Sequence, residues 1–150
     1  MSDLRGILLG AGLGIFAALL IAGCGGDDTL SKEQYASRLS AMCEDFSARE
    51  EQIGEPRSQA DLVEKGPQIL DAYEKAIFDE VRKLKAPDEI GDQADRMAEL
   101  AGEQRNVLSG LIDAAKADDA VKLQELASKN AKLNEEAGSI ARELGAQSCG

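Results

Sequence analysis

From residue 31 onward the apolar positions recur at steps of three and four, and no stretch alternates with the period of two that marks a half-buried strand. The first such run holds Tyr35, Leu39, Met42, Cys43 and Phe46. This spacing puts all five on the inward face of one helix, expected over about 32–52. Its start is marked twice: Ser31 and Gln34 have capping-box spacing, and Leu30 and Tyr35 occupy the two positions of a hydrophobic staple. Ile53-Gly54-Glu55-Pro56-Arg57 is a turn, and Ser58 with Asp61 repeats the capping pattern. Leu62 and Val63 then meet Gly66-Pro67, where the second helix is expected to kink or to restart with Pro67 in its first turn. Beyond that point Leu70, Tyr73, Ile77, Val81 and Leu84 form a stripe, with Ile69 and Phe78 beside it, and Ala86-Pro87 ends it.

The third helix is expected over about Asp88 to Lys116. Ile90, Ala94, Met97, Ala101, Gln104, Leu108 and Leu111 follow one another at alternating steps of four and three, the seam of a left-handed bundle. Gly91, Gly102 and Gly110 weaken this helix by up to about 1 kcal/mol each relative to alanine, and they also permit close approach of a neighbour. Ala117-Asp118-Asp119 breaks the pattern, either aspartate serving as the next cap. Leu123, Leu126, Asn130, Leu133, Ala137, Ile140 and Leu144 then repeat the seam spacing until Gly145 supplies a stop. Four amphipathic segments joined by short turns predict an all-α, up-and-down four-helix bundle. The weaker second segment leaves a three-helix bundle as the alternative.

The first 30 residues follow a different pattern. Between Gly6 and Gly26 no residue is charged, and the run from Ile7 to Ile21 is mostly apolar. It follows the weakly charged start Met1-Ser2-Asp3-Leu4-Arg5, as in a secretory signal peptide. An uncleaved membrane span is the alternative, disfavoured by the helix-weakening glycines at 10, 12, 14 and 23. The exit, Ile21-Ala22-Gly23-Cys24, resembles the bacterial lipobox, in which the cysteine receives a diacylglyceryl group and becomes the new N-terminus. The resemblance implies a signal peptide over 1–23, a lipidated tether over 24–30 and a helical domain over 31–150. It also implies a location on the extracytoplasmic side of the cell membrane, held by a lipid anchor at Cys24 that provides two acyl chains. From Cys24 to Ser31 the tether reaches at most about 25 Å.

With Cys24 assigned to lipid, Cys43 and Cys149 remain, and outside the cytoplasm such a pair is expected to form a disulfide. Two free thiols are the alternative. A bond would close nearly the whole domain, contributing about 4 to 5 kcal/mol in the chain-entropy account. It also requires the tail from Leu144 to Gly150 to fold back onto the first helix, because Cys43 lies about three turns above that helix's start. Tyr35 eight positions before Cys43, together with the terminal Leu-Gly-x-x-x-Cys-Gly, resembles small helical lipoproteins of actinobacteria whose function is unassigned.

Charge and composition mainly exclude. The formal net charge is -11, with no lysine or arginine cluster, so the chain lacks an electrostatic footprint for nucleic acid. The absence of histidine removes the proton carrier of a Ser-His-Asp or Cys-His set and the ligands of haem and di-iron bundles. No Gly-Lys-Ser or Gly-Lys-Thr marks a phosphate loop, and Gly10, Gly12 and Gly14 lie inside the leader. Glu50-Glu51, Asp118-Asp119 and Glu135-Glu136 are adjacent carboxylates that diverge on a helix, a solvated surface rather than a calcium site. No enzyme, metal or cofactor is expected.

Two polar residues interrupt the apolar seams, Gln104 and Asn130. Either they pair with each other or with water and fix the register of the bundle, or they line an internal pocket and bind a small ligand. Tyr35 and Tyr73 are expected in the core with their hydroxyls at the rim. The expected function is a non-enzymatic, lipid-anchored domain that binds a protein partner in the cell envelope or serves as a structural component there. A small-ligand carrier or sensor with a pocket between helices is the alternative.

Overall fold

The computed structural model describes residues 29–149. The expected signal peptide over 1–23, Cys24 as the expected lipid acceptor and most of the expected tether over 24–30 lie outside the described residues, as does Gly150. Among the described residues there are four helices and no strand. Helix α1 is Lys32–Ile53. Helix α2 is Gln59–Tyr73, continued by a π-helical turn, Glu74–Phe78, and a last α-helical turn, Asp79–Val81. Helix α3 is Gly91–Lys116, entered through the 3-10 turn Asp88–Ile90, and α4 is Ala120–Leu144. A final 3-10 turn, Gln147–Cys149, closes the described chain.

Each helix start has a local cause. The capping box at Ser31 is complete: its hydroxyl accepts from the Gln34 N–H at 3.2 Å, and its own N–H donates to Gln34 Oε1 at 2.8 Å. Ser58 accepts from the Asp61 N–H at 3.1 Å. Of the two aspartates before α4, Asp119 is the cap, accepting from the Lys122 N–H at 2.9 Å. Asp118 instead takes a positive φ of 55°. Helix α4 stops at Gly145, whose φ of 92° is the left-handed conformation that a glycine adopts without strain.

Successive helices run antiparallel, as three ties between their ends show. Leu30 N–H donates to the Lys85 carbonyl at 2.9 Å, joining the start of α1 to the segment after α2. Gln59 Nε2 donates to the Ala115 carbonyl at 2.8 Å and to Asp118 Oδ1 at 2.9 Å, joining the start of α2 to the end of α3. Arg96 donates to both oxygens of Glu136, at 2.8 and 3.1 Å, and Gln93 reaches Glu143 at 3.2 Å, joining the start of α3 to the end of α4. The start of α1 and the end of α4 therefore share one end of the bundle, hereafter the base.

The main core lies toward that base and is built from Tyr35, Leu39, Met42, Val81, Ile90, Ala94, Met97, Ala101, Ala141 and Leu144, with Leu30 packed against it. A second cluster, Leu100, Val107 and Leu133 with Leu111, Leu126, Ala137 and Ile140, binds α3 to α4. The expected seam of α3 holds from Ile90 to Ala101, but above it Gln104, Leu108 and Leu111 are only half-buried, while Leu100, Val107, Ile112, Ala114 and Ala115 are buried. Helix α3 packs on α2 along one side and on α4 along the other, so its buried surface is two stripes rather than one seam.

Helix α2 excludes a restart at Gly66-Pro67 and departs from the sequence reading about two turns further on. The helix runs through Pro67 without stopping or restarting there. Gly66 is buried, and a Cβ at that position would stand 2.7 Å from Ile112 Cγ1, so this glycine marks a close approach of α2 to α3. The irregularity comes later, in the π turn. Ile69, Ala72, Tyr73 and Ala76 are buried at helical spacing, and the next buried residue is Val81, five positions on. The extra residue of the π turn keeps charged Glu80 off the core and carries Val81 onto it.

The packing order is α1, α2, α3, α4, with α1 and α4 touching only sparsely. Cys43 and Cys149 are disulfide-bonded, with their Cα atoms 5.2 Å apart across a sequence separation of 106. The bond and the tail close, from the base up to the middle of α1, a bundle that helix contacts alone leave open along one side.

Candidate functional site

The trough between α1 and α4 is filled at the base by the tail. Ala146 is fully buried among Tyr35, Leu39, Ala141 and Leu144, and the Cys43–Cys149 bond holds the tail in place. Above the tail a cleft of about 630 Å³ stays open, within the range of small-molecule sites. The antiparallel order of the helices sorts its lining by height. Leu39, Val81, Met97 and Cys149 form the lower end, Ile77, Ala101, Ala137 and Gly138 the middle, and Phe46, Tyr73, Gln104 and Asn134 the upper end. Ser47, Glu135, Arg142 and Ser148 complete the lining.

A single hydrogen-bonded chain spans the upper end. The Tyr73 hydroxyl donates to Gln104 Oε1 at 2.7 Å and lies 3.3 Å from the Ala101 carbonyl. Gln104 Nε2 in turn donates to Asn134 Oδ1 at 2.6 Å. Three helices, α2, α3 and α4, are thus linked by side chains across the back of the cleft. Burial pushes the Tyr73 phenol well above its ordinary pKa, so at neutral pH it is a donor. The Phe46 ring of α1 meets the Tyr73 ring edge-on, with centroids 5.5 Å apart and planes at 89°. At the rim, Ser148 Oγ donates to Glu44 at 2.7 Å, whereas neither Arg142 nor Glu135 has an ion-pair partner among the described residues.

The residues singled out in the sequence separate here. Gln104 lines the cleft and Asn130 does not, although Asn130 is half-buried on α4. The expected pairing of Gln104 with Asn130 is replaced by the pairing with Tyr73 and Asn134. The buried phenol of Tyr73 needs an acceptor and takes Gln104 Oε1, which turns the amide nitrogen toward Asn134. Both tyrosines are buried, as their positions on the apolar stripes predict. Asn134 carries no signal in the apolar spacing because it stands just outside the α4 seam, beside Leu133. Only its proximity to Gln104 gives it a role.

The adjacent carboxylates have local work. Glu136 belongs to an Arg96 cluster that also includes Glu99 and Glu103, at 3.1 and 3.2 Å. Arg96 holds the Glu136 carboxyl below its usual range. Asp118 and Asp119 are the Gln59 acceptor and the α4 cap. Among the described residues no group of three or more histidine, cysteine or acidic side chains is placed to hold a metal, and no helix is long and apolar enough to cross a membrane. Comparison with protein families, characterised proteins and solved structures finds no match to this chain. The cleft is an apolar trough with one hydrogen-bonding end.

Proposed function

We propose that this chain is a non-enzymatic component of the cell envelope, lipid-anchored through Cys24 on the extracytoplasmic side, that binds a small molecule in the cleft between α1 and α4. The observation behind this reading is the cleft's composition: apolar walls from all four helices, converging on the Tyr73–Gln104–Asn134 chain. A few placed polar groups within an apolar concavity are what a small-ligand site requires. The anchor is supported by the resemblance of Ile21-Ala22-Gly23-Cys24 to the lipobox.

Native mass spectrometry of the full chain released from membranes tests the binding role. A small bound mass is expected on the parent protein and none on an Ala137→Trp variant, whose indole fills the cleft. Bare protein in both preparations would overturn it. Loss of metabolic acyl labelling in Cys24→Ser is the matching expectation for the anchor.

A protein partner is the second reading, favoured by the open, trough-like form of the cleft between two helices, which admits an amphipathic helix. Crosslinking in intact cells separates the two: a covalent species larger by a protein's mass, lost in Ala137→Trp, supports the partner.

A further inference from the structure

The small-molecule reading leaves the ligand class open, and hydrogen-bond accounting at the upper end of the cleft narrows it. The Tyr73 hydroxyl proton is engaged with Gln104 Oε1, and one Gln104 amide proton with Asn134 Oδ1. What remains is the second Gln104 N–H and both N–H bonds of Asn134, which donate to nothing else among the described residues. This end therefore offers three N–H donors beside amide oxygens that can each accept one further bond, which suits a ligand group carrying carbonyl and hydroxyl oxygen. Below it the cleft follows α1 for about 12 Å, from the level of Ser47 down to Leu39, with Phe46, Ile77, Ala101 and Ala137 among its apolar wall and the Cys43–Cys149 bond midway. That length suits a medium acyl chain. The protein's charge of -11, with Glu44 and Glu135 at or beside the rim, opposes an anionic head. The sole cationic group in the lining, Arg142, stands toward the other end.

We propose that the cleft takes an uncharged, single-chain acylglycerol, with its ester carbonyl accepting from Gln104 and Asn134 and its chain running down past the Cys43–Cys149 bond to Leu39. This rests on the small-molecule reading above and adds the chemical class and the orientation. An ester supplies the acceptor without a charge, and the apolar wall of Phe46, Ile77 and Met97 covers the chain.

The test uses the full chain in nanodiscs and three photoreactive decanoyl probes: the glycerol ester, the free carboxylate and the plain hydrocarbon. Crosslinked peptides are mapped by mass spectrometry, and affinity is read by competition with the unlabelled compounds. The ester is expected to label the α2 and α3 walls, with apparent affinity about tenfold weaker in Gln104→Leu, the loss of roughly one hydrogen bond to a neutral group. Hydrocarbon labelling is expected to be unchanged in that variant. If Gln104→Leu folds poorly, Asn134→Ala, at an exposed position, serves in its place. Stronger labelling by the carboxylate that is lost in Arg142→Met would overturn the proposed class while leaving the binding role standing. So would equal labelling by ester and hydrocarbon, insensitive to both amide variants. Labelling outside the cleft by every probe would overturn both.

Discussion

Cys149 is bonded to Cys43 with their Cα atoms 5.2 Å apart, which ties the tail to the middle of the helix that opens the domain. Because α1 and α4 otherwise touch only sparsely, this bond and the buried Ala146 add to the Tyr35, Leu39, Ala141 and Leu144 cluster in holding the two outer helices together. The same tail forms the lower wall of the cleft.

Replacing Cys149 with serine is expected to release the tail and cost about 2 to 4 kcal/mol, without dissolving the helices. Hydrogen exchange should quicken in α1 near Leu39 and at the end of α4, while Leu100 to Ile112 stays protected. Far-UV circular dichroism should hardly change. Identical melting under oxidising and reducing conditions would show that the helices close the bundle unaided.

Alkaline pH is expected to destabilise the fold through its tyrosines. Burial raises the folded-state pKa of both Tyr35 and Tyr73, with Asp95 adding to the rise at Tyr35. A raised pKa means that the protonated form is favoured in the native state. Its contribution is complete below the unfolded value of about 10 and is lost as pH climbs above it. Melting temperature should therefore fall between about pH 9 and 12, less steeply in Tyr73→Phe. Parallel curves for the two proteins would contradict this account.

Two glycines should respond oppositely to alanine. At Gly66 the new Cβ would lie 2.7 Å from Ile112 Cγ1, and pushing α2 from α3 is expected to cost about 1 to 3 kcal/mol. At Gly91 nothing lies within 4 Å of the added methyl, and the helical backbone should gain up to about 1 kcal/mol. Chemical denaturation of the two variants checks the pair, and a shared sign would refute it.

Leu100 is wholly buried in the cluster between α3 and α4, so Leu100→Ala should cost about 2 to 5 kcal/mol. Leu108, one of the expected seam positions, is only half-buried and should cost distinctly less when truncated. Equal losses would mean that the single-seam reading of α3 describes its packing better than two stripes do.

Apolar spacing predicts the four helices and their caps because a helix places every third or fourth residue on one face whatever surrounds it. It places Tyr35, Leu39, Met97 and Ala101 in the core, and all four are there. It fails for the upper half of α3, where a second neighbour gives the helix another buried side that one period cannot describe. It is also silent on the π turn, since the shift from Ala76 to Val81 depends on what α2 packs against.

The sequence by itself determined the helices, their terminations at Ser31, Ser58, the Asp118-Asp119 pair and Gly145, and the expectation that Cys43 and Cys149 would meet. These follow from local backbone chemistry and from counting thiols. Tertiary structure alone decided that α1 and α4 stand apart, leaving a cleft, and that Gln104 turns to Tyr73 and Asn134 rather than to Asn130. Which polar side chains meet depends on how helices remote in sequence are set side by side, and the spacing of residues along one helix carries no record of that.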